Sequence, residues 1–218
     1  MLGGMDYARW PDRRVAGREL GEALTDYRDA DPVVVGLPRG GVVVADEVAR
    51  VLDAPLEVTV VRKVGAPMQP ELGLGAVGTG DVRVINEALV RRLGVSREML
   101  EQIVAEELGE VDRRMQAFRS GRSEVAIEGR TVIVVDDGLA TGGTAMAAAE
   151  VLRSQGPKQL VLAIPVCPPE SVEPLRERYD DVVVLATPRP FLAVGEHFED
   201  FHQVSDDEVQ RILEGAAK

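Results

Sequence analysis

Apolar positions in this chain follow two rhythms that take turns. From Asp12 to Tyr27, Val15, Ala16, Leu20, Ala23 and Leu24 fall on one side of a helix. Pro32 to Gly36 is a short unbroken apolar run, as in a strand covered on both faces. A helix over Gly41 to Leu52 and a strand over Leu56 to Val61 continue the series. Gly65 to Gly80 is dense in Gly and Pro and reads as an irregular excursion, a mobile flap, before a strand at Val82 to Ile85. Ser96 to Phe118 carries a helical stripe of Leu100, Ile103 or Val104, Leu108, Val111, Met115 and Phe118, fit to dock on the core or on a second subunit. Val132 to Val135 predicts another buried strand and Ala145 to Leu152 (AMAAAEVL) a helix. After them come a strand at Gln159 to Val166, a helix at Pro169 to Arg178 and a strand at Val182 to Ala186. An irregular segment then runs to Val204, and Ser205 with Glu208 forms a capping box for a last helix. Such alternation builds an α/β fold with a central parallel sheet, its strands joined by right-handed crossovers.

Composition narrows the classes of function. A chain of 218 residues that is 45% hydrophobic can bury one substantial core, so a single domain over 1–218 is expected. A formal net charge of −12 argues against a non-specific nucleic-acid binder, which needs clustered Lys and Arg. Any anionic ligand must therefore be gripped locally. The lone cysteine, Cys167, ends an apolar run and reads as a packed thiol in a reducing compartment. The N-terminal MLGGMDYARWPDRR has no apolar h-region and no run approaches membrane-spanning length, so a cytoplasmic protein without membrane partners is expected.

The richest chemistry lies in Thr131 to Thr144, TVIVVDDGLATGGT. A buried strand ends at Asp136 and Asp137, and a Gly/Thr-rich turn leads to a helix, with Thr141 or a neighbour near the N-cap. Ligands of open α/β sheets bind beyond such strand ends. Gly142 and Gly143 let backbone wrap an anion at the helix N-terminus, and Thr141 and Thr144 add hydroxyl donors. The paired carboxylates accept hydrogen bonds from vicinal hydroxyls. One segment can thus hold both ends of a ribose 5-phosphate; a strand with an Asx turn capping its helix is the plainer alternative. Gly36-Leu37-Pro38-Arg39-Gly40-Gly41 repeats the layout: Gly40 and Gly41 offer N–H groups to a diphosphate and Arg39 offers charge, although these residues also suit an ordinary turn.

VIVVDDGLATGGT resembles the phosphoribosyl-pyrophosphate (PRPP) signature of the type I phosphoribosyltransferases, nearest the adenine-type version. GLPRGG resembles their diphosphate loop, closest to the R-G-G form of the xanthine-guanine enzymes. That likeness implies a cis peptide between Pro38 and Arg39. Pro190 to Phe201 resembles the hood over the base in 6-oxopurine enzymes, and together with W-P-D-R-R-x-A-G-R-x-L at the N-terminus the chain is similar to a bacterial group of unassigned acceptor.

The resemblance implies a core over about 12–187 and a hood over about 188–204 plus the last helix. It implies catalytic roles for Asp136, Asp137, Arg39 and Lys63. Ala140, Thr141, Gly142, Gly143 and Thr144 would bind the 5-phosphate. Arg39, Gly40, Gly41, Arg62 and Lys63 would bind diphosphate, under a flexible loop at Val64 to Gly80. Phe191 and Phe198 would stack on the base, while His197 and His202 read as surface or hood residues. Mg²⁺, chelated mainly by the substrate and touched at most indirectly by Asp136 and Asp137, is the implied cofactor. A nucleobase-like acceptor and a homodimer are the implied partners. Ala140 stands where the 6-oxopurine enzymes carry an acid, so the acceptor stays open. A PRPP- or nucleotide-sensing regulator with the same fold is the alternative; a PRPP-synthase-like kinase is disfavoured because the chain has no ATP motif.

Overall fold

The computed structural model describes residues 9–67, 69–119 and 124–216. Most of the N-terminal MLGGMDYARWPDRR stretch, and Met68 in the excursion, lie outside them. Five strands form a fully parallel sheet: β1 (Pro32–Gly36), β2 (Leu56–Val58), β6 (Thr131–Val135), β7 (Gln159–Val166) and β8 (Asp181–Ala186), in the order β2-β1-β6-β7-β8. The period of two divides each strand between two cores. Val34, Ile133, Val135, Val161 and Ala163 face α1 (Arg13–Ala23), α2 (Gly40–Leu52), α4 (Arg97–Arg119) and α7 (Asp206–Ala216). Val33, Val35, Val132, Val134, Leu160, Leu162 and Ile164 face α5 (Gly143–Arg153) and α6 (Pro169–Arg176). Both faces are covered, which is why these strands read as continuous apolar runs.

The structure departs from the hydrophobic pattern in one region. The run Leu56 to Val61 is not one strand: β2 stops at Val58, and β3 (Val61–Ala66) leaves the parallel sheet. The expected irregular excursion is in fact strand. β3, β4 (Gln69–Gly78) and β5 (Val82–Ile85) form an antiparallel sheet, with a register shift around Gly65. Its glycines answer close packing: a Cβ on Gly75 would stand 2.0 Å from the carbonyl oxygen of Val84. A short helix, α3 (Glu87–Arg92), follows and had no clear periodic signal. The stripe of α4 is buried as expected: Leu100, Val104, Leu108, Val111, Met115 and Phe118 dock on this sheet and on α7.

The N-terminal segment closes against the late irregular segment. Trp10 pairs with Phe198 in a parallel bridge, the amide of Trp10 donates to the carbonyl of His197, and Glu199 N–H returns to the carbonyl of Trp10. Among the described residues no helix is long and apolar enough to cross a membrane.

Candidate functional site

Two strand ends and two helix starts meet at the carboxyl edge of the parallel sheet. β1 and β6 are direct neighbours, with Gly36 in register with Val135, so the segments that follow them are adjacent in space. A Cβ placed on Gly40 would lie 1.9 Å from Oδ2 of Asp137, and one on Gly41 would lie 2.8 Å from Cα of Asp136. Only glycine permits this approach. The Gly-Gly loop and the acid pair, about a hundred residues apart in the chain, thus form one crevice. The Pro38–Arg39 peptide is cis, as the resemblance implied.

Neither helix that opens here caps its own N-terminus with a side chain. The N-cap of α5 is Gly142, in the left-handed region at φ 75°, and that of α2 is Arg39. First-turn amides without a side-chain cap are available to an external anion. Gly142 rather than Thr141 is the cap because a non-glycine residue at this φ would be strained. Ala140, Thr141, Gly143 and Thr144 are exposed around the start of α5, and Gly142 is buried beneath them. The loop is held from below: Leu139 N–H donates to the Val166 carbonyl, and the buried Tyr179 hydroxyl donates to the Ala145 carbonyl at 2.6 Å.

The acids are electrostatically unusual. Asp137 N–H donates to Oδ1 of Asp136 at 2.9 Å. Burial pushes the Asp136 carboxyl well above the usual carboxylate range, and the neighbouring charge of Asp137 pushes it further. Burial also raises Asp137, although a hydrogen bond from Arg13 pulls the other way. Arg13 is a functional candidate that the sequence reading missed. It is 6% exposed, and its Nε meets Oδ2 of Asp137 at 2.7 Å. The cluster W-P-D-R-R was visible, but nothing in it reveals a partner 124 positions away.

Several expected site residues stand elsewhere. Arg62 and Lys63 are successive residues of β3, so they point to opposite faces. Arg62 is bound to Glu107 of α4 at 2.7 Å, and Lys63 is exposed. Arg39 is exposed at the mouth of the crevice and lies 3.5 Å from Asp206, at the start of α7. Phe198 is not a base platform: it is 3% exposed and packed between Trp10 and Phe201, with ring centroids 5.7 and 5.1 Å away. Phe191 is half-buried and stacks on His197 at 5.5 Å. His197 is therefore a buried hood residue and not a surface one, whereas His202 is exposed beside Asp200 and Glu208. Cys167 is fully buried, a packed thiol.

Among the described residues no group of three or more His, Cys, Asp or Glu side chains forms a metal cage. The Asp136–Asp137 pair suits only a cation that takes most of its ligands from elsewhere.

The phosphoribosyl transferase domain model matches residues 13–191. A Mycobacterium tuberculosis protein, provisionally named a phosphoribosyl transferase, is 46% identical over 205 residues; the match covers 94% of this chain but only 46% of that protein, so the chain spans about half of its length. A uracil phosphoribosyltransferase of Desulfitobacterium hafniense is 33% identical over 121 residues, covering 56% of this chain and 52% of its own. The crystal structure of a Thermus thermophilus protein, TT1426, superposes with a TM-score of 0.88 at 46% identity, covering 94% of this chain and 97% of that one. The crevice at the β1 and β6 ends thus lies within a fold shared along nearly the whole chain, and the protein belongs to the phosphoribosyl transferase domain family.

Proposed function

We propose that this chain transfers the phosphoribosyl group of PRPP to a nitrogenous base, releasing diphosphate with the help of Mg²⁺. The observation that carries the reading is the contact of Gly40 and Gly41 with Asp137 and Asp136, which supports a diphosphate-binding loop acting beside a pair of sugar-binding acids.

The amides at the start of α2 and the guanidinium of Arg39 receive the leaving diphosphate, and the exposed Lys63 adds charge from β3. Asp136 and Asp137 accept the ribose hydroxyls. In their desolvated setting, a carboxylate beside the sugar stabilises the oxocarbenium-like state more strongly than it would in water. The open N-terminus of α5 with Thr141 and Thr144 anchors the 5-phosphate, and Phe191 borders the base. Mg²⁺ bound with the donor neutralises diphosphate charge and completes its coordination from substrate and water. Much of the acceleration comes from positioning and water exclusion. A cytoplasmic location belongs to the same proposal, in keeping with the buried lone thiol, and a homodimer is proposed with it.

Calorimetric titration with Mg-PRPP, followed by a screen of nucleobases for diphosphate release, tests it. Binding followed by release on one base is expected. Binding with no release on any base would replace the enzyme by a PRPP sensor, and absence of PRPP binding would remove both. Exchanging Asp136→Asn together with Asp137→Asn should weaken PRPP on the order of tenfold or more, the loss of two charge-assisted contacts. Unchanged affinity would show that the ribose lies elsewhere.

A further inference from the structure

The acid pair is tied to the hood by one buried side chain. Nε of Arg13 donates to Oδ2 of Asp137 at 2.7 Å, and Nη1 donates to the carbonyl of His202 at 2.9 Å. The face of the guanidinium lies 3.8 Å from the ring centroid of Phe201. Phe201 in turn stacks on Phe198, and Phe198 packs on Trp10. The guanidinium is thus held by an acid, a carbonyl and a ring. Asp12 caps the helix that carries Arg13, its Oδ1 accepting from Val15 N–H at 2.9 Å, so the base of the side chain is fixed as well.

We infer that Arg13 is a positioning residue for the donor sugar: it aims Asp137 at the ribose hydroxyls and makes that aim depend on the seating of Phe201 and His202 in the hood. The inference rests on the proposed PRPP site. Nε occupies one lone-pair direction of Oδ2, and the other lone pairs of the carboxylate remain as acceptors for a hydroxyl. Lysine cannot replace this function in full, since a single ammonium reaches either the carboxylate or the carbonyl in a fixed geometry, not both. A hood that shifts on the base will move Phe201 and the His202 carbonyl, and through Arg13 it will move the carboxylate that holds the sugar. Base and donor are linked in this way through side chains that belong to neither anion-binding loop.

The test separates the two halves of the donor. Ribose 5-phosphate and Mg-diphosphate are titrated separately into the wild-type chain and into Arg13→Gln, Arg13→Lys and Phe201→Leu. Arg13→Gln should raise the Kd for ribose 5-phosphate on the order of tenfold while the Kd for diphosphate stays within about twofold. Arg13→Lys should recover part of the loss, and Phe201→Leu should lower ribose 5-phosphate affinity in the same direction by about threefold. Equal weakening of both ligands would make Arg13 a prop of the fold, and an unchanged ribose 5-phosphate Kd would remove it from the site; either result overturns the inference. If the wild-type chain binds neither PRPP nor ribose 5-phosphate, the PRPP reading itself fails and the inference falls with it. Should Arg13→Gln not fold, the Lys and Leu variants decide by the same comparison.

Discussion

Gly40→Ala is the smallest change that challenges the assembled crevice. The new methyl carbon would stand 1.9 Å from Oδ2 and 2.7 Å from Cγ of Asp137, and 3.0 Å from Nε of Arg13. Asp137 is short and its Oδ2 is already bound, so it cannot yield by rotating its tip alone. The carboxylate has to leave Arg13. Breaking a hydrogen bond to a charged group costs about 1.5–3 kcal/mol. Alanine recovers at most about 1 kcal/mol of helix propensity at Gly40, the first residue of α2. The net expectation is a loss of about 1–2 kcal/mol, read as a lower urea midpoint at constant slope. With the acid displaced, ribose 5-phosphate affinity should fall on the order of tenfold. Gly109→Ala is the control: Gly109 lies inside α4 and a Cβ there meets nothing within 4 Å, so alanine should stabilise by about 0.5–1 kcal/mol. A Gly40→Ala protein that gains stability as the control does, with ribose 5-phosphate binding intact, would refute the contact between the two loops.

Three further outcomes follow from local environments. Asp200, then Glu208, hold the His202 imidazolium above its ordinary 6.5, so this contribution to stability is fully present below pH 6.5 and fades as pH rises through the folded-state value. Proton NMR of a chain with only two histidines reads it directly, and a titration at or below 6.5 would reject the ion pairs. Burial, with the charge of Glu170 adding to it, pushes the Cys167 thiol up to about 11. A disulfide reagent at about pH 8 should therefore label it only after denaturation, and rapid labelling of the native chain would contradict its packing. Asp12→Ala removes the N-cap of α1 and should lower the unfolding free energy by about 1 kcal/mol; a change under about 0.3 kcal/mol would show that the cap is idle.

The parallel sheet was legible because burial on both faces demands unbroken apolar runs, and Val132 to Val135 or Leu160 to Val166 are short and rich in β-branched residues, which favours strand over buried helix. The acid pair and the Gly-Gly loop were legible for a related reason: the chemistry of each is local, and a strand end followed by glycines and a helix start is a pattern of adjacent residues. The segment Gly65 to Gly80 was misread because glycine in sequence signals a turn equally well as a strand pressed by its neighbours. Phe198 looked like a stacking platform because an aromatic in a loop shows no sign of which face is covered; in the fold, Trp10 and Phe201 cover it.

By itself the sequence determined the fold class, the two glycine-rich strand-to-helix loops and the cap of the last helix, each set by residues within about one turn or one strand of each other. Which loops meet, and what charge state the acids carry, was decided only by tertiary structure. Strand order brings β1 beside β6, the hood folds back on Trp10, and Arg13 reaches Asp137 across 124 positions. A carboxylate's pKa and aim depend on desolvation and on the nearest opposite charge, and both are properties of neighbours in space that no stretch of sequence contains.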